Sequence, residues 1–143
     1  MKAVAALAAL LALAAWPSRA AVNIGDLDLT CRLHHRVSAE LNALTKTPQF
    51  LQDYVASSIG PMAERGEAFN ETDVHLQGLP NARFVRAGRA GNEWYLWYER
   101  GGFVYTKHVV VFRLGIELSV VADRTYVAED PCALTDGLLD SEP

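Results

Sequence analysis

Asn92–Arg100 (NEWYLWYER), Gly101-Gly102, Phe103–Leu114 (FVYTKHVVVFRL), Gly115 and Ile116–Val127 (IELSVVADRTYV) decide the fold. The three long runs are rich in aromatic and β-branched residues, and glycine separates them. That pattern predicts three consecutive β-strands. Gly101-Gly102 has the composition of a two-residue hairpin turn, and Leu114-Gly115 of the turn after it. The expected arrangement is an antiparallel meander.

The two turns set a register. Tyr98 then opposes Tyr105, Leu96 opposes Lys107 and Trp94 opposes Val109. Across the second turn Val111 opposes Leu118, and Val109 opposes Val120. Opposed residues share a face. One face therefore gathers Trp94, Leu96, Tyr98, Val109, Val111, Leu118 and Val120 and is expected to be the core. The other carries Glu93, Tyr95, Trp97, Glu99, His108, Phe112 and Glu117. Aromatic rings with an acidic rim mark a partner-binding face, and these seven residues are the candidate site. The competing reading is that another segment, such as Ala63–Glu71, folds over them. An odd-length loop in either hairpin would exchange the two sets.

Upstream the chain reads as helical. Leu29, Leu33, Val37 and Leu41 recur every four residues, which predicts a helix over Thr30–Leu44, although Leu27, Leu29, Cys31 and Leu33 also alternate like a strand. Thr47-Pro48 has the form of an N-cap followed by a first-turn proline. Phe50, Leu51, Tyr54, Val55 and Ile59 then make the apolar stripe of a second helix, which Gly60-Pro61 ends. Asp73–Gln77 and Arg83–Arg86 read as outer strands, with loops at Gly78-Leu79-Pro80 and Gly88–Gly91. The fold class expected is α+β: two N-terminal helices packed on one face of a four- to five-stranded antiparallel meander sheet. From Asp130 the chain is acidic and is expected to fray after Cys132.

Met1–Ala20 has the three parts of a secretory signal peptide: Lys2, an uncharged Ala/Leu run from Val4 to Trp16, and Pro17 ahead of Ser18-Arg19-Ala20. Cleavage is expected after Ala20, leaving residues 21–143 as one domain in the bacterial periplasm or outside the cell. The apolar run is too short to remain as a stable membrane anchor. The chain carries 13 Lys+Arg and 17 Asp+Glu, a net of −4. Cleavage removes Lys2 and Arg19 and no acid, so 11 cations face 17 acids, a net of −6. An acidic domain is a poor match for nucleic acid, which wants a basic footprint. Cys31 and Cys132 are the only cysteines. In an oxidising compartment they are expected to pair, closing a loop of about 100 residues worth ~4–5 kcal/mol in the chain-entropy picture.

Little in the sequence points to catalysis or to a cofactor. His34, His35, His75 and His108 show no chelating spacing, and there is no HExxH, CxxC or phosphate-binding glycine loop. Arg83, Arg86 and Arg89 form a small basic cluster, with Arg83 and Arg86 on opposite faces of a strand. The expected function is a non-enzymatic periplasmic binding protein of inhibitor, immunity or accessory type, with an envelope protein as its partner. Its acidity suits a basic partner, such as a muramidase of the lysozyme type. The order of helices and sheet resembles the broad cystatin-like and NTF2-like architectures, which implies an apolar pocket for a small ligand as the alternative. A hydrolase using His108 and a nearby acid is a third reading.

Overall fold

Cys31, Leu33, His35, Val37, Ala39 and Leu41 are half-buried, and the residues between them are exposed, in a computed structural model that describes residues 31–114, 118–126 and 130–140. The period is two. Val37–Leu41 forms strand β1, not the end of the helix expected over Thr30–Leu44. The two readings share a cause. A spacing of four is close to one helical turn and is also a multiple of the strand period. Residues 1–30, which include the expected signal peptide, lie outside the described residues.

The second expected helix forms, but it is short. Helix α1, Gln49–Tyr54, continues as a π-helical turn over Val55–Ile59 and stops at Gly60, whose φ of 97° suits glycine. Pro48, not Thr47, holds the N-cap position; the Thr47 hydroxyl instead donates to the Leu44 carbonyl at 2.7 Å. The α1 stripe packs on the sheet. Phe50 meets Trp94 and Phe112 edge-on with ring centroids 6.0 and 6.1 Å apart, and Tyr54 meets Phe112 at 4.9 Å.

Among the described residues the sheet has six strands: β1, β2 (Met62–Ala63), β3 (Ala82–Ala90), β4 (Glu93–Arg100), β5 (Thr106–Leu114) and β6 (Leu118–Tyr126). Their order is β1-β3-β4-β5-β6, with β2 beside β3 in a parallel pair. The meander β3 to β6 is antiparallel. The expected strand at Asp73–Gln77 is a loop. The side chain of buried Asn70 organises it, donating to the Leu79 carbonyl and to Asn81 Oδ1 and accepting from the Leu76 amide. These bonds replace a strand ladder. Arg83–Arg86 lies inside β3, which is an interior strand. β3 runs through Gly88, where a Cβ would collide with the Tyr95 hydroxyl and the Ala39 carbonyl.

The C-terminal tail does not fray at Cys132. Helix α2 spans Pro131–Leu139. Asp130 caps it by accepting the Cys132 amide at 2.8 Å, and Pro131 occupies its first turn. Cys31 and Cys132 are disulfide-bonded, which ties the arm before β1 to α2. The expectation of two N-terminal helices on one face is thus overturned. One face is covered by α1, the other by α2 and the arm, and each has its own core cluster. No described helix is long and apolar enough to cross a membrane.

Candidate functional site

The β4–β5 loop decides which side chains meet. Arg100 pairs with Thr106, so the loop is Gly101–Tyr105, five residues rather than two. The odd change in register turns β5 over relative to β4. Tyr95 now opposes Val111, and Trp97 opposes Val109. The seven candidate residues therefore do not share a face. Glu93, Tyr95, Trp97 and Glu99 point to the α2 side, and His108 and Phe112 to the α1 side. Glu117 lies outside the described residues.

Burial separates them further. Tyr95, Trp97 and Phe112 are fully buried. The Trp97 indole donates to Thr135 Oγ1 at 2.9 Å, under α2. Glu93 accepts Arg113 at 2.7 and 2.9 Å. Glu99 is buried, bound by Arg83 through Nε and Nη2 at 2.7 Å each and by the Tyr105 hydroxyl at 2.6 Å. The Arg83 guanidinium lies 4.4 Å over the Phe69 ring, a stacked and fully compensated buried pair. His108 stacks flat on Tyr98 at 4.5 Å, and its two nitrogens meet the hydroxyls of Thr106 and Thr125 at 3.0 and 3.2 Å. Asp123 stands 3.8 Å from Nδ1, beyond hydrogen-bond reach. His108 is thus held between hydroxyls and a ring, not paired as a base with a carboxylate.

A β-bulge at Val85 changes the arginine cluster. It adds one residue to β3 between Phe84 and Arg86, so Arg83 and Arg86 face the same side, against Glu99 and Trp97. Nothing in the local sequence marks that bulge. Arg86 is buried, with its guanidinium 4.5 Å over the Trp97 ring. Its Nε lies 3.5 Å from the Tyr95 hydroxyl and 3.7 Å from Glu40. Burial holds the Tyr95 phenol above its ordinary pKa, although Arg86 opposes that shift. Arg86 forms one wall of a recess of about 540 Å³ that Cys31, Arg32, Leu33, His35, Val37 and Glu40 complete.

Beside the recess, Asp136 accepts the backbone amides of His34 and His35 at 2.8 and 3.2 Å and pairs with His35 Nδ1 at 2.7 Å. His35 Nε2 meets Asp140 at 3.0 Å. The hydrogen bond to Asp136, aided by both carboxylate charges, raises the His35 pKa against the opposing effect of burial. Burial favours the neutral form of Asp136, but the bonds from His34 and His35 outweigh it and lower its pKa. Among the described residues, the grouping of possible metal-ligand atoms is Cys31, Asp130 and Cys132, and its two sulfurs are bonded to each other. That leaves no thiolate to bind a metal.

At the β4–β5 end, two loops expose apolar side chains. Phe103 is 95% and Val104 65% exposed, and Val74 and Leu76 are exposed in the neighbouring loop. The loops are packed together: the Gly101 amide donates to the Asn81 carbonyl, and Gly101 abuts Asn70 so closely that a Cβ would overlap its carbonyl. The strand expected over Phe103–Leu114 begins only at Thr106, which leaves Phe103 and Val104 in the loop. Comparison with protein-family models, curated proteins and solved structures found no match to this chain.

Proposed function

We propose that this chain is an exported, non-enzymatic binding protein of the bacterial envelope, and that it captures a basic protein partner with its β4–β5 loop end. The observation that carries the reading is Phe103, a large apolar side chain almost wholly in solvent. Exposing such a ring forgoes ~1.5–3 kcal/mol of burial that a partner would supply. Gly101 anchors the start of its loop to Asn81, and Tyr105 anchors the end to Glu99, so the ring is presented on a fixed mount. Val104, Val74 and Leu76 add apolar area, and exposed Glu71 and Asp73 flank them. An apolar anchor with acidic neighbours fits a cationic surface carrying an apolar recess. The disulfide fits an oxidising compartment. The buried Tyr95, Trp97 and Phe112 serve the core, so the site moves from the sheet face to the loops.

The test is interferometry of the oxidised protein against a cationic lysozyme-type muramidase and an acidic control protein. The expected result is salt-sensitive binding to the cationic protein only, weakened about tenfold or more by Phe103→Ala. Equal affinity of wild type and Phe103→Ala, or no preference for the cationic protein, would overturn the proposal.

A further inference from the structure

Arg86 is a buried cation whose guanidinium is contacted by no buried carboxylate among the described residues; buried Asp136 acts on it only from a distance, across Tyr95. The nearest carboxylate, Glu40, is more than half exposed and stands 3.7 Å from Nε. Among the described residues, neither Nη1 nor Nη2 of Arg86 has a hydrogen-bond partner, and yet no buried polar side-chain atom is left unsatisfied. The two terminal nitrogens therefore keep some contact with solvent, and the recess that Arg86 helps to line is the opening beside them. Arg83, three residues earlier on the same face, shows the contrast, because its guanidinium is closed by Glu99.

We propose that this recess binds a carboxylate, received as a two-pronged pair by Nη1 and Nη2 of Arg86. Three features select that chemistry. The planar fork of two N–H groups matches the two oxygens of a carboxylate. The Trp97 ring 4.5 Å below the guanidinium fixes the plane of the fork before a ligand arrives. Glu40, at the mouth, limits the negative charge the recess tolerates, which favours a monoanion over a phosphate dianion. Arg32, exposed on the rim, adds attraction at a distance. His35 lines the wall but does not compete for the ligand, because both of its nitrogens are held by Asp136 and Asp140. The site is independent of the Phe103 loop. Its carboxylate has two possible sources, a small organic acid or the C-terminus of a peptide.

The experiment follows the Arg86 Nε–H and Trp97 Nε1–H signals of the ¹⁵N-labelled, oxidised protein by NMR at constant ionic strength. The probes are sodium acetate, sodium phosphate, and trialanine with a free or an amidated C-terminus. The expected result is a saturable shift with acetate and with free trialanine, and none with the amide. Free trialanine binding about tenfold tighter than acetate assigns the site to peptide ends, and the reverse order assigns it to small acids. Arg86→Lys, which keeps the charge and loses the fork, is expected to weaken acetate about tenfold or more. Glu40→Gln at the exposed mouth is expected to tighten acetate several-fold, and it reports even where Arg86→Lys fails to fold. A linear, non-saturating response shared by acetate and phosphate, in both wild type and Glu40→Gln, would overturn the assignment.

Discussion

The Trp97 indole N–H reaches across to α2 and donates to the Thr135 hydroxyl at 2.9 Å, and that hydroxyl donates in turn to the Pro131 carbonyl at 2.6 Å. Both side chains are fully buried. The bond locks the middle of the sheet to the C-terminal helix. Thr135→Val keeps the shape of the side chain and leaves the indole donor buried without a partner. It is expected to cost ~1–3 kcal/mol, and Thr135→Ser much less. Urea unfolding of the three proteins checks the order.

The disulfide holds the same helix at its N-terminal turn. Cys31 and Cys132 are 101 residues apart, so reduction frees a long loop in the unfolded chain. Reduction, or the Cys31→Ala/Cys132→Ala pair, is expected to lower stability by ~2–5 kcal/mol. Denaturant titrations with and without reductant read this directly. A midpoint unchanged by reductant would show that the bridge contributes nothing.

The His35–Asp136 contact gives stability a pH dependence with two limits. His35 has a raised pKa in the folded protein, so its contribution is full below the unfolded value of 6.5 and is lost as pH rises through the higher folded value. Asp136 has a lowered pKa, so its contribution is full above the unfolded value of 3.8 and is lost as pH falls through the lower folded value. Both act fully between those two unfolded values. Thermal melts across pH are expected to show the alkaline fall shrink in His35→Gln and the acid fall shrink in Asp136→Asn.

Glu99 and Arg83 form a buried pair whose parts are worth more together than apart. Glu99→Gln leaves a buried guanidinium without its counter-charge and is expected to cost ~3–5 kcal/mol. Arg83→Met/Glu99→Leu, which removes both charges, is expected to recover most of that loss. Tyr105→Phe removes one charge-assisted bond to Glu99 and is expected to cost ~1.5–3 kcal/mol. A double-mutant cycle on calorimetric melting data tests the first two.

Strand character was legible where it was strongest. β4, β5 and β6 lie in the stretch quoted first, because Trp94 to Tyr98 and Val109 to Phe112 are too β-prone to read otherwise. Their faces were not legible. Face assignment hangs on loop parity, and Gly101-Gly102 suggests a two-residue turn as readily as it opens a five-residue loop. The Val85 bulge is likewise set by tertiary contacts, and with it the placing of Arg86. One feature carried a signal that went unread. Asp130-Pro131 is the same cap-and-proline signature that Thr47-Pro48 suggested, and it announced α2. The alternation of Leu27, Leu29, Cys31 and Leu33 favoured an extended arm from the start, but the four-residue spacing of Leu29, Leu33, Val37 and Leu41 outweighed it. The disulfide followed from two cysteines in a chain read as exported.

The cover over Tyr95 and Trp97 is made from two pieces at opposite ends of the described chain, the arm beginning at Cys31 and helix α2. In order of synthesis, every strand precedes α2. While the chain emerges, one sheet face can close early under α1, but the other has only the arm to cover it until Pro131–Leu139 has been delivered. The growing polypeptide thus passes through a stage with a complete sheet and a half-covered aromatic surface. That stage lasts as long as α2 is held back, and it is when a holding chaperone would have most to grip.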